Sequence, residues 1–215
     1  MKKVIFFDLD GTLTDPSLGI TNSVMYALRS YGIEENDREK LYPFIGPPLV
    51  DSFGKYYGFP EEKGREATFR FQKYFSRKGL YENEVYEGIP AFLGALKEKG
   101  EILSLATSKP EEFALRILEH FDLLPYFDYV CGAAMDEKTR CRKDDVLAYA
   151  LEKTGATPKA SVMVGDREYD ILAGNRFGLR TIGVLYGFGD REELEKAGAD
   201  FIAESVEELK EILKK

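Results

Sequence analysis

The chain has 215 residues, with 30 Lys and Arg against 38 Asp and Glu and a formal net charge of −8. A content of 44% hydrophobic and 32% charged residues suits a globular protein with a real core, built as one domain or as one domain with an insert. No run approaches the roughly 18 apolar residues of a membrane-spanning helix, so no membrane partner is expected. The opening Met1-Lys2-Lys3-Val4-Ile5-Phe6-Phe7 meets Asp8 too soon for a signal peptide. Net acidity without a basic run speaks against a nucleic-acid partner. Cys131 and Cys141 are too few for a disulfide framework and lack zinc-ligand spacing. A reduced, cytoplasmic protein is expected, and its oligomeric state is left open.

In chain order, short apolar runs at Lys3–Leu9, Ile102–Ala106, Tyr129–Cys131, Val162–Val164, Thr181–Leu185 and Phe201–Ala203 predict strands. Segments of helical periodicity lie between the later ones, such as Phe92, Leu93 and Leu96, or Phe113, Ile117, Leu118 and Phe121. Continuous apolar strands alternating with amphipathic helices predict an α/β fold with a doubly wound parallel sheet. The alternation fails once. About 90 residues separate Leu9 from Ile102, with helical patterns at Leu18–Tyr31, Leu49–Tyr57 and Glu61–Lys78 and no evident strand. Twelve of the chain's aromatic rings fall between Tyr42 and Tyr86, which suits a small module closing a core of limited volume. Residues 15–87 are therefore expected to form an inserted helical domain. Residues 1–14 and 88–215 are expected to form the α/β core.

Ligands of open α/β sheets bind beyond the carboxyl ends of the strands. The first strand ends in Asp8-Leu9-Asp10-Gly11-Thr12, the second in Thr107-Ser108-Lys109 and the fourth in Gly165-Asp166-Arg167-Glu168-Tyr169-Asp170. Either Asp8 or Asp10 alone would be an ordinary strand-terminal turn residue. As a pair one residue apart they repel, and a hard cation shared with Asp166 resolves the repulsion. Carboxylate oxygens and water suit Mg²⁺ better than zinc. Asp166 and Asp170 could also be only an acidic helix start, and Thr107-Ser108 only a cap for a helix from Pro110. Lys143 stands near the start of a predicted helix over Asp144–Lys153, where the helix dipole disfavours it; a bound phosphate is one reason for it to be there. The single histidine, His120, is read as a surface residue. Gly187-Phe188-Gly189 is a loop signal of little specificity, and the side-chain directions of Lys109 and Arg167 are not legible.

Taken in order, Asp8-Leu9-Asp10-Gly11-Thr12-Leu13-Thr14, Thr107-Ser108-Lys109-Pro110, Lys143 and Gly165–Asp170 resemble the four motifs of the haloacid-dehalogenase-like hydrolases. Further stretches resemble the phosphoglycolate-phosphatase and 5′-nucleotidase-like branch, which carries a small helical cap where the insert lies. These are Gly19–Ser23, Phe44-Ile45-Gly46-Pro47-Pro48-Leu49, Glu82–Pro90 and Ile182–Gly187. The resemblance implies a Rossmann-like core with an inserted cap, and a Mg²⁺-dependent phosphatase acting on a small phosphorylated metabolite through an aspartyl phosphate. It implies Asp8 as nucleophile and Asp10 as acid and base. Thr107, Ser108 and Lys143 would bind phosphate. Metal ligands would be Asp8, the Asp10 backbone carbonyl and Asp166, with Asp170 steadying the metal's water shell or Lys143. Gly46 is a candidate for substrate selection, since Gly allows close backbone approach beside two stiffening prolines; the same stretch also reads as a plain helix–helix connection. A phosphosugar mutase using the same nucleophile remains open. So does an aspartate-phosphorylated signalling module, although that would need neither Asp10 nor a cap.

Overall fold

The computed structural model describes residues 1–136 and 139–214. The chain divides into two compact units, Met1–Thr14 with Val85–Lys215, and Asp15–Glu84. It passes between them at two short strands that pair with each other, β2 (Thr14–Asp15) and β3 (Glu84–Val85). Neither was legible beforehand, because two residues are too few to show an alternating pattern.

The larger unit is built on a six-stranded parallel sheet. Its strands are β1 (Ile5–Phe7), β4 (Leu103–Pro110), β5 (Tyr129–Ala133), β6 (Val162–Gly165), β7 (Arg180–Val184) and β8 (Phe201–Ala203), in the order β5-β4-β1-β6-β7-β8. The expected doubly wound sheet is observed, and all six strands fall on the predicted apolar runs. Both faces are covered, so the strands carry apolar residues at successive positions rather than alternate ones. Phe6 joins Ala106, Cys131 and Met163 in a cluster with Val146, Leu147 and Ala173, which come from α6 (Lys143–Thr154) and α7 (Glu168–Phe177). Phe7 points the other way and meets Phe92 and Phe127 edge to face at 6.0 and 6.4 Å. Phe92 lies on α4 (Ile89–Glu98), and α5 (Glu111–His120) follows β4. Two short helices, α8 (Arg191–Lys196) and α9 (Val206–Ile212), are each capped by a side chain, Asp190 and Ser205, that accepts from the third residue on.

The strand order fixes where chemistry can occur. From β1 the chain builds outward through β4 and β5, then returns to build the other half through β6, β7 and β8. The switch point is therefore β1, paired with β4 on one side and β6 on the other. Its carboxyl end opens the crevice in which such sheets bind ligands.

The smaller unit is helical: α1 (Ser17–Arg29), a 3-10 turn (Glu39–Phe44), α2 (Leu49–Tyr57) and α3 (Glu61–Tyr74). Its rings do pack with one another. Phe44 meets Phe53 at 5.1 Å, and Phe53 stacks on Phe59 at 5.9 Å. The third helix was expected to run to Lys78. It ends at Tyr74, and the chain continues in a wider π turn, Phe75–Gly79. There Gly79 lies so close to α1 that a Cβ on Gly19 would stand 2.0 Å from the Gly79 carbonyl oxygen. Gly46 has φ +104° and leads through two prolines into α2, with Pro48 at the cap position.

Among the described residues no helix is long and apolar enough to cross a membrane. Cys131 and Cys141 are both free thiols. His120 is exposed at the end of α5.

Candidate active site

Three strand ends meet at the switch point. β1 delivers Asp8, whose backbone N–H donates to the Val164 carbonyl at 2.9 Å. The chain then turns sharply: the N–H groups of Thr12, Leu13 and Thr14 all point to the Leu9 carbonyl, at 3.2, 2.9 and 3.1 Å. This turn requires a glycine at position 11, where φ is +84° and a Cβ would stand 2.1 Å from an Asp166 carboxylate oxygen. β6 delivers Asp166, and the first turn of α7 delivers Asp170. β4 delivers Thr107, which is buried.

Carboxylate oxygens of Asp8, Asp166 and Asp170 lie within 4.8 Å of one another, and all three residues are buried. Lys143, the first residue of α6, projects into this group. Its Nζ is 2.7 Å from Asp8 Oδ1, 2.6 Å from Asp170 Oδ1 and 3.0 Å from the Ala106 carbonyl. Two carboxylates therefore offset the unfavourable helix-start position. Burial works against its charge, but Asp170 and Asp8 more than compensate and hold the ammonium above the ordinary lysine range.

Three carboxyl groups are also raised, which for an acid disfavours the charged form. Burial, then the charges of Asp170 and Asp8, push Asp166 well above the usual carboxylate range, although the Phe188 N–H pulls it down. Burial drives Asp170 up to about 6 despite the charge of Lys143. Asp10 is also raised, by burial more than by Asp8, with Lys109 opposing. One lysine does not satisfy three clustered buried carboxylates. Groups that ionise reluctantly because they are buried, and because like charges lie beside them, are suited to receive a cation, and an all-oxygen set of this size suits a hard one such as Mg²⁺.

The geometry also sorts the residues read from the sequence. Asp8, Asp166, Asp170 and Lys143 form one contact group. The Asp10 carboxylate turns away from it and pairs with Lys109, Nζ to Oδ2 at 2.5 Å, while its buried Oδ1 has no hydrogen-bond partner among the described residues. Asp166 and Asp170 were expected on a helix starting near Gly165; that helix starts at Glu168, so Asp166 sits on the strand-to-helix turn. Thr107 and Ser108 do not cap α5, because β4 continues to Pro110 and the helix begins at Glu111. The Thr107 hydroxyl instead accepts the Lys109 N–H at 3.2 Å, and Ser108 is half-buried.

The sequence undervalued the loop after β7. Phe188 N–H donates to Asp166 Oδ2 at 2.9 Å, and the Thr12 hydroxyl reaches Asp166 Oδ1 at 3.4 Å. Tyr186 donates its phenol to the Thr12 carbonyl at 3.2 Å. A Cβ on Gly187 would stand 2.3 Å from the Gly11 carbonyl, and one on Gly189 would stand 2.0 Å from the Asp166 carbonyl. Two glycines one residue apart after a strand were the available signal: they mark a backbone that must approach something closely.

Comparison with known proteins shows which family the chain belongs to. The sequence model of the haloacid dehalogenase-like hydrolases matches residues 5–184. A 5′-nucleotidase of Pseudomonas aeruginosa is 45% identical over 190 residues, 88% of this chain and 86% of its own. A tyrosine-protein kinase, PtkA, of Mycobacterium tuberculosis is 34% identical over 98% of this chain and 72% of its own. A predicted phosphatase from Clostridium acetobutylicum, known from its crystal structure, superposes with a TM-score of 0.96 at 46% identity, covering all of both chains. The motif order, the switch-point site and these likenesses converge: the chain belongs to the haloacid dehalogenase-like hydrolases, on the phosphatase side of that family.

Proposed function

We propose that this phosphatase hydrolyses a small phosphomonoester metabolite, of the phosphoglycolate or nucleoside 5′-monophosphate class, through an aspartyl phosphate on Asp8, with Mg²⁺ as cofactor, in the cytoplasm. The observation that carries the reading is the Lys143 ammonium held between Asp8 and Asp170 inside a buried carboxylate trio. With Asp8 read as the nucleophile, an ammonium 2.7 Å away supports the reading, because phosphoryl transfer asks a protein for positioning and positive charge.

In this reading an Asp8 carboxylate oxygen attacks phosphorus. Lys143, the Thr107 hydroxyl, Ser108 and nearby backbone N–H groups hold the phosphoryl oxygens. Asp10 gives a proton to the leaving oxygen as the P–O bond breaks. It then takes one from the water that hydrolyses the acyl phosphate, because the same group must serve in both directions. Its raised proton affinity, and an Oδ1 that has no hydrogen-bond partner among the described residues, fit the acid role. Asp8, Asp166 and the Asp10 carbonyl would hold Mg²⁺, with Asp170 supporting from the Lys143 side. When bound, Mg²⁺ supplies positive charge against the phosphoryl oxygens. The helical unit, Gly46 included, is proposed as the part that selects the substrate.

Phosphate release over a panel of phosphoglycolate, nucleoside 5′-monophosphates and sugar phosphates tests the reading. Selective release that stops on chelation and in Asp8→Asn supports it. Turnover of a hexose phosphate to its isomer without free phosphate would replace it with a mutase.

A further inference from the structure

β4 is irregular near its end. Thr107 pairs with Gly132 and Pro110 with the next residue, Ala133, so Ser108 and Lys109 are extra on the β4 side. A bulge of this kind bends the strand and redirects side chains. Gly132 lets it close, since a Cβ there would stand 2.7 Å from Glu111 Cα and 2.8 Å from the Lys109 carbonyl. Lys109 is consequently buried, at 8% exposure, and its Nζ lies 2.5 Å from Asp10 Oδ2. The pair is not a surface ion pair: the two side chains are 5% and 12% exposed. Its N–H is fixed by the Thr107 hydroxyl at 3.2 Å. One bulge thus sets both a phosphate-site hydroxyl and the ammonium that grips Asp10.

We propose that Lys109 is a positioning residue of the phosphatase reaction: it holds Asp10 by Oδ2 and so presents Oδ1, which is buried and has no hydrogen-bond partner among the described residues, to the leaving group. The inference rests on Asp10 being the acid and base. Lys109 moves no proton itself; it fixes which carboxyl oxygen exchanges one with the ester oxygen.

The test is single-turnover cleavage of an alkyl phosphate and of p-nitrophenyl phosphate, whose leaving group needs no proton. Wild type is compared with Lys109→Met, Lys109→Arg, Asp10→Asn and the Lys109→Met/Asp10→Asn double variant. Lys109→Met should lose roughly 10–100-fold more on the alkyl ester than on the nitrophenyl ester. Lys109→Arg should recover part of that difference, and Lys109→Met should add little once Asp10 is Asn. Equal losses on both esters, or a full further loss in the Asp10→Asn background, overturn the role of Lys109 while Asp10→Asn still discriminates between the esters. If Asp10→Asn itself loses equally on both, the acid assignment falls and this proposal with it. Should Lys109→Met fail to fold, Gly132→Ala disturbs the bulge and keeps the ammonium. The same selective loss there supports the proposal, and a uniform loss overturns it.

Discussion

Asp8 shares the Lys143 ammonium with Asp170, at 2.7 and 2.6 Å. Asn keeps the shape of the Asp8 side chain, so, if Asp8 is the nucleophile as proposed, Asp8→Asn should fold normally and lose phosphate release by about 10³-fold or more. Circular dichroism with a phosphate assay checks both halves, and substantial turnover by a verified variant would remove Asp8 from the mechanism. Asp170 makes a prediction about pH. Its carboxyl is pushed up to about 6 in the fold, against roughly 4 in an unfolded chain. The folded state therefore keeps a proton that the unfolded state has lost. The sign follows: in chelator, the fold should lose stability as pH rises from about 4 to about 6, by something on the order of 1–3 kcal/mol from this group. Asp166 and Asp10 shift the same way. Urea melts of wild type and Asp170→Asn should agree best near pH 4, where the carboxyl is neutral in both states, and separate toward pH 6 as the wild type loses stability and the variant does not. Parallel curves would show that Asp170 is not the source.

At the scale of elements, the loop after β7 carries a role that its composition barely advertised. Gly187 and Gly189 press against the Gly11 turn and Asp166, so their absent side chains are what allow the Phe188 N–H to reach the carboxylate. Gly187→Ala should force that loop away and weaken Mg²⁺ affinity by about 10–100-fold, the usual effect of losing a ligand's support. Titration calorimetry measures it, and unchanged affinity would show that the loop merely fills space. Gly46 is a different case. Its φ of +104° means that any side chain there strains the entry to α2. If the helical unit selects the substrate, a Gly46 series should reorder substrates and leave the Mg²⁺ response intact; one common factor on every substrate would refute that role. The six core strands were legible because each is an uninterrupted apolar run. The β4 bulge, the π turn after α3 and the paired strands β2 and β3 were not. Each arises from two segments meeting across long sequence separations, as at Gly132 with Glu111 or Gly19 with Gly79. Only the glycines hint at such meetings.

At the scale of the whole molecule, the strand order explains why residues 8, 107, 143, 166 and 170 assemble at all: β1 is the switch point, flanked by the strands that end in Thr107 and Asp166. Order along the chain showed these motifs, but not that Lys109 pairs with Asp10 or that Asp170 joins Asp8 across Lys143. Side-chain direction depends on a bulge and a helix start that spacing does not encode. Because the trio is charge-crowded, Mg²⁺ should stabilise the α/β unit. At about 100 times its dissociation constant the gain is about 2.7 kcal/mol, or roughly 5–10 °C in the melting temperature. Thermal melts with and without Mg²⁺ check this, and Asp166→Ala should abolish most of the shift.

If the phosphoryl group passes through Asp8, as proposed, trapping the intermediate shows it most directly. Asp10→Asn should form the acyl phosphate from p-nitrophenyl phosphate, which needs no acid, yet hydrolyse it slowly because the water lacks its base. Acid quench during turnover, digestion and mass spectrometry should find one phosphoryl group on the peptide containing Asp8, removable by hydroxylamine and absent when Asp8 is also Asn. Burst release of nitrophenolate with no phosphoryl group on that peptide, or with the group on another residue, would contradict the account.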